Sequence, residues 1–113
     1  MPRAVRSSKA PAREDAVFRA LADANRRRIL LVLGGGAMRV ADIAAEFDVS
    51  RPAISKHLAV LKRAGLVTDR KQGRERHYAV APHALRLAAG YAKDVDAFWR
   101  QGLAKLDRRL RER

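Results

Sequence analysis

Between Val40 and Leu66 the apolar and polar positions follow two helical periods separated by a short break. In the second, Ile54, Leu58 and Leu61 recur at i, i+4 and i+7, which places them on one face of a helix. Arg51, Ala53, Ser55, Lys56 and Ala59 fall on the other faces. Ser50 stands where an N-cap hydroxyl accepts an orphan backbone N–H. Pro52 lies in the first turn, where a missing N–H costs little, and Gly65 supplies a left-handed stop. Upstream, Ala44 and Phe47 close a preceding helix and Asp48-Val49 make the turn. Such a pair suits a helix-turn-helix. An apolar stripe holds the second helix, and short hydrogen-bonding or basic side chains near its N-terminus are free to enter a major groove. Ser50, Arg51, Ser55 and Lys56 are the candidate base-reading residues.

The same patterning organises the flanks. Val17, Phe18 and Leu21 predict a short helix over residues 13–21. Asp23 caps a second helix through Leu33, with Ile29, Leu30 and Leu33 facing the core. Arg26, Arg27 and Arg28 read as a solvated face, with Asp23 pairing part of it. Gly34-Gly35-Gly36 is a turn, since no Lys-Ser/Thr follows it as a phosphate loop requires. Beyond Gly65, residues 66–70 and 76–80 alternate in part, and Gln72-Gly73 between them signals a hairpin. Arg70, Lys71, Arg74 and Arg76 surround its tip, so this ribbon reads as a wing whose cations position DNA phosphates. Four cations at one tip repel one another unless an anion lies close. After Pro82, residues 83–113 read as one long helix. Leu87, Tyr91, Val95, Phe98, Trp99, Leu103, Leu106 and Leu110 recur on it at three- and four-residue steps. A chain this short has little left to cover that seam. Val95, Trp99, Leu103, Leu106 and Leu110 are therefore the expected dimer interface, shared with the first helix, while Leu85 and Leu87 belong to the protomer's own core.

Composition narrows the partner. The chain has 113 residues and a formal net charge of +13, an excess that favours a polyanion, nucleic acid first. Hydrophobic residues make up 48% of it, too many for a wholly disordered basic tail. With no cysteine, disulfides, thiolate metal sites and thiol redox sensing are excluded. No apolar run is long enough to span a bilayer and no signal-peptide core is visible, so a cytoplasmic protein without a membrane partner is expected. Residues 1–12 read as a flexible basic arm, either a solvated tail or an extra phosphate contact. His57 lies beside the apolar stripe of the reading helix, as a packing or phosphate-contacting residue. His77 and His83 share no metal-ligand spacing with it. No nucleophile–base or acidic pair has catalytic spacing, so neither an enzyme nor a cofactor is expected.

The order helix, helix, helix-turn-helix, wing, long terminal helix resembles the ArsR-type (arsenical-resistance) winged helix-turn-helix repressors. The segments ALADANRRRILLVL, ADIAAEFDVSRPAISKHLAVLKRAGLV and GRERHY carry the resemblance, which covers nearly all of the chain beyond Arg13. It implies a homodimer, an inverted-repeat operator, and repression relieved by a signal. Metal-sensing members of that family hold thiolates just before the reading unit. Arg39 and Ala41 stand there in this chain, so the resemblance implies the kind lacking the metal-sensing cysteines. A second family site uses Asp, His and Glu on the terminal helix. Only Asp94 and Asp96 are present, on different helix faces.

The expected protein is thus mainly α with a small β-hairpin wing, a dimeric winged helix-turn-helix domain over residues 13–113 with a terminal dimerisation helix at about 83–113. The expected function is sequence-specific binding of double-stranded operator DNA by a homodimeric, autoregulatory repressor. Two alternatives stand beside it: a small-molecule sensor with a pocket between the first and last helices near Trp99, and an architectural or RNA-binding basic protein.

Overall fold

The computed structural model describes residues 12–112. The arm expected over residues 1–12 lies outside them except for Ala12, which opens the first helix. The elements run α1 (Ala12–Leu21), α2 (Ala24–Val32), β1 (Met38–Arg39), α3 (Val40–Ala44), α4 (Arg51–Arg63), β2 (Val67–Gln72), β3 (Glu75–Val80) and α5 (Pro82–Arg111).

Local chemistry sets the boundaries. The Asp23 carboxylate accepts from the backbone N–H groups of Asn25 (2.8 Å) and Arg26 (3.2 Å) and so starts α2. It is thus a cap; the expected pairing with the arginine side chains gives way to these two amides. A 3₁₀ turn at Leu33–Gly35 ends α2. Ser50 starts α4, its Oγ accepting from Ala53 N–H at 3.2 Å. At the other end Gly65 adopts φ +79°. Its N–H donates to Lys62 C=O (3.0 Å) and Leu66 N–H to Leu61 C=O (2.9 Å), a Schellman stop that aims the chain into β2.

Three details depart from the sequence expectation. α3 ends at Ala44, not at Phe47. Glu46 and Phe47 continue instead with tight N–H bonds to Ile43 and Ala44, so the turn is longer and Phe47 belongs to it. The two central hairpin residues are Gly73 and Arg74, since Gln72 pairs with Glu75. Gly73 at φ +65° followed by a residue without positive φ is the pattern of a type II′ turn, which suits strand twist. The sheet is also three-stranded, in the order β1-β3-β2. Met38 lies opposite Tyr78 and Arg39 opposite His77. β1 satisfies the outer edge of β3 and ties the wing to the start of α3.

The core lies where α1, α2, α3, α4 and the base of the sheet meet. Val17, Ile29, Ile43, Ile54, Leu58, Leu61, Leu66 and Val67 are all buried to within 2%. Ala84 brings the start of α5 into the same cluster, with Leu85 and Ala88 packed at its margin. Phe18 meets Tyr91 edge-to-face at 5.1 Å, which seats α1 against α5. Past that contact α5 leaves the core. A helix of 30 residues is about 45 Å long, and the whole molecule extends 68 Å along its major axis.

Candidate nucleic-acid interface

Helix α4 has two unlike sides. Ile54, Leu58 and Leu61 are completely buried and fix its rotation. Arg51, Ser55, Lys56 and Ala59 are exposed, so the buried stripe turns the short and basic side chains outward. Ser50 is exposed too; the cap takes one lone pair of its Oγ, which leaves the O–H to donate and a second lone pair to accept. His57 is half-buried and turned toward α2: its Nδ1 lies 3.4 Å from the Arg26 guanidinium. It is an inter-helix contact.

The solvated face expected of the three arginines of α2 is present at Arg27 and Arg28, which are exposed, while Arg26 is half-buried, and all three also hold backbone carbonyls. Arg26 donates to the carbonyls of Ala20 (2.7 Å) and Arg19 (3.1 Å), and Arg27 to that of Leu21 (2.8 Å). Arg28 donates to Glu46 C=O at 2.9 Å while stacking 4.7 Å from the Phe47 ring. Helix ends leave unpaired carbonyls and partial negative charge. Arg26 and Arg27 satisfy the C-terminal end of α1, and Arg28 braces the turn after α3. The sequence signal was an arginine run five to seven residues after the end of α1 at Leu21, which a solvated face shares.

On the wing, strand alternation separates the cations. Asp69, Lys71, Arg76 and Tyr78 share the face that carries Val67 and Val80, whereas Arg70 and His77 lie on the opposite face and Arg74 sits in the turn. Arg70, Lys71, Arg74 and Arg76 are all exposed. Of the four cations expected to crowd the tip, Arg76 is paired with an acid of the wing itself. Asp69 Oδ2 accepts from Arg76 at 2.9 Å, and Asp69 Oδ1 lies 2.8 Å from Lys62 Nζ of α4. Hydrogen bonding to Lys62, foremost, holds the Asp69 carboxyl below the usual carboxylate range. A second ionic tie joins the wing tip to α3. Arg39 donates to both Asp42 oxygens (3.0 and 3.2 Å) and both Glu75 oxygens (3.1 and 3.0 Å). Its guanidinium pKa is raised, by the Asp42 hydrogen bonds first and those of Glu75 next, while Asp42 is lowered by Arg39.

The seam of α5 is open. Tyr91, Phe98, Trp99, Leu103, Leu106 and Leu110 are each 52–59% exposed, and Val95 is half-buried. Leu103, Leu106 and Leu110 lie outside the core cluster. Trp99 stands edge-on to Phe98 on this open face, not in a pocket between α1 and α5. A hollow of about 500 Å³ lies elsewhere, on the outer face of the sheet beside Ala37, Thr68, Arg70 and His77. Among the described residues no group of three His, Asp or Glu side chains is placed to hold a metal, and no helix is long and apolar enough to cross a membrane.

A helix-turn-helix buttressed by a three-stranded wing defines a winged helix-turn-helix DNA-binding regulator. The comparisons agree and go further. A family described as a helix-turn-helix domain matches residues 21–70. The HTH-type transcriptional regulator Rv2034 of Mycobacterium tuberculosis is 44% identical over 89 residues, 79% of this chain and 80% of that protein. The arsenical resistance operon repressor of Escherichia coli is 44% identical over 85 residues, 74% of this chain and 70% of that one. A solution structure of a homodimeric winged helix-turn-helix DNA-binding domain from Mycobacterium bovis superposes with a TM-score of 0.63 at 30% identity, covering 79% of this chain and 83% of that one. The chain belongs to the ArsR family of transcriptional repressors, and it is a DNA-binding regulator, not an enzyme.

Proposed function

We propose that the chain acts as a homodimeric, autoregulatory repressor that reads an inverted-repeat operator through α4. The observation that carries this reading is the two-sidedness of α4. Its rotation is fixed by three fully buried aliphatic side chains, and Arg51, Ser55 and Lys56 are left exposed near its N-terminus. Those side chains, with the Ser50 hydroxyl, are of the length and polarity that base edges in a major groove accept. Arg70, Lys71, Arg74 and Arg76 would bind phosphates beside the groove and set register without reading sequence.

One reading helix spans few base pairs. The open seam of α5, with Val95, Trp99, Leu103, Leu106 and Leu110, supports pairing of two protomers, and the M. bovis neighbour is homodimeric. Two readers on a two-fold axis would engage half-sites about 10 bp apart, or a multiple of that. Linking them raises apparent affinity by roughly 10²–10⁴-fold.

The test separates reading from positioning. Lys56→Ala should weaken binding to the protein's own promoter more than to random DNA, by about 1–3 kcal/mol for a base-edge contact. Arg74→Ala should weaken both alike and lower the salt slope by about one unit. Equal effects of the two variants on both DNAs would defeat the division of labour. A wild-type preference for the promoter near onefold would favour an architectural DNA- or RNA-binding role instead.

A further inference from the structure

We propose that Asp69 is a positioning residue for DNA recognition: its carboxylate locks the wing to the last turn of α4 and so sets the angle between the two DNA-contacting elements. The inference rests on the reading role proposed above for α4.

Asp69 sits on β2 opposite Tyr78 of β3. Its side chain is 7% exposed, whereas those of its partners Lys62 and Arg76 are 53% and 55% exposed. Each carboxylate oxygen takes one cation, Oδ1 that of Lys62 and Oδ2 that of Arg76. A single side chain thus joins α4, β2 and β3. The covalent joint between α4 and the wing is the short turn over residues 64–66. The base of the ribbon is held by buried Leu66 and Val67 and by β1, which pairs with β3 only at Tyr78 and His77, so the part beyond them is a lever. From Val67 to Gly73 is about 20 Å of strand, so a 10° rotation at the base carries the tip about 3.5 Å, more than the reach of a hydrogen bond. The Arg39 clasp restrains the tip from the side of α3, but Asp69 is the group that grips α4 itself.

Charge alone argues the other way. A carboxylate between a reading helix and a basic wing repels phosphate and occupies two cations that would otherwise face it. Removing it should therefore tighten DNA binding if charge decides, and should loosen operator binding if position decides. The sign of one substitution separates the two.

The probe is a duplex selected by the wild-type protein from a randomised double-stranded library, compared with a random-sequence duplex of equal length. Asp69→Asn keeps the shape and one acceptor but removes the charge. It should lose about tenfold on the selected duplex, the scale of one misplaced contact, while binding the random duplex as tightly as the parent or more so. Hydroxyl-radical protection should fade at the flanks, where the wing lies, and persist at the centre of each half-site. Asp69→Glu should recover part of the lost preference. Equal tightening on both duplexes would overturn the proposal and leave Asp69 a mere charge. A lowered melting temperature with an unchanged ratio of affinities would overturn it too, and leave a purely structural role. If the wild-type protein enriches no duplex, the reading role of α4 fails first and this inference falls with it. If it enriches one and Asp69→Asn reads it normally, only the inference fails.

Discussion

Leu103 tests the proposed dimer because the protomer itself makes so little use of it. It lies outside the core cluster and is 57% exposed. Leu→Ala removes three carbons, worth about 2.4 kcal/mol at about 0.8 kcal/mol each for a move from water to full burial. With 57% of the side chain still in water, roughly 1.4 kcal/mol of that is left to be gained in an interface. The two-fold axis counts it twice, about 2.7 kcal/mol per dimer, or about a hundredfold in the dimer dissociation constant. Sedimentation equilibrium across a wide concentration range measures that constant directly. Far-UV circular dichroism on the monomer should keep nearly all of its helical signal. Leu31 on α2 is the control: it is 79% exposed, more than Leu103, but lies off the seam. Leu31→Ala should leave the constant unchanged. Leu103→Glu goes further, since an unpaired charge in a closed seam is strongly unfavourable. That protein should be monomeric and should lose the operator at concentrations where the parent binds. If Leu103→Ala shifts the constant less than twofold, or no more than Leu31→Ala does, the seam is not the interface. A monomeric Leu103→Glu protein that binds the full operator normally would remove dimerisation from the mechanism.

Two further outcomes follow from the fold. Gly65→Ala should destabilise the protein by about 1–2 kcal/mol in a denaturant titration; no atom crowds the position, so the loss comes from the left-handed backbone (φ +79°) alone, and a neutral result would refute the Schellman argument. The carboxyls of Asp23, Asp42 and Asp69 are all held below their ordinary 3.8. A lowered folded-state pKa gives stability that is fully present above the unfolded value and is lost as pH falls through the folded one. Thermal unfolding should therefore be flat in these groups near neutrality and decline below about pH 4, and Asp69→Asn should flatten that acid limb; an unchanged limb would show the ion pair with Lys62 contributes nothing.

What the sequence carried was local. Ser50 and Asp23 as caps, Gly65 as a stop, the Ile54–Leu58–Leu61 stripe and the α5 seam each depend on residues within a few positions of one another. Physical chemistry at that range leaves a readable period or a cap residue. β1 was missed because two residues have no period to read. α3 was overextended because Phe47 continues the apolar spacing after the backbone has already left the helix. The ties that hold the wing were also out of reach. Arg39 and Glu75 are far apart in sequence, and nothing in either side chain marks the partner. Asp69 read as one polar position in an alternating strand, although its burial and its two cations make it the most constrained acid of the wing.

Net charge shows the same limit from the other side. A surplus of thirteen positive charges points to a polyanion, but it does not say which cations are free to meet one. Arg26, Arg27 and Arg28 are spent on backbone carbonyls at helix ends and turns. Arg39, Lys62 and Arg76 are held by carboxylates, and Arg100 and Arg111 pair along α5 with Asp96 and Asp107. The excess acts as a long-range field that draws DNA toward the molecule, while the short-range contacts proposed above fall to a smaller set: Arg51 and Lys56 on α4, and Arg70, Lys71 and Arg74 on the wing, with Arg76 shared between Asp69 and phosphate. Asp69 and the Arg39 clasp tie the wing that carries Arg70, Lys71 and Arg74 to α4 and α3. On the proposal above, it is these carboxylates that set where the wing cations stand relative to the reading helix.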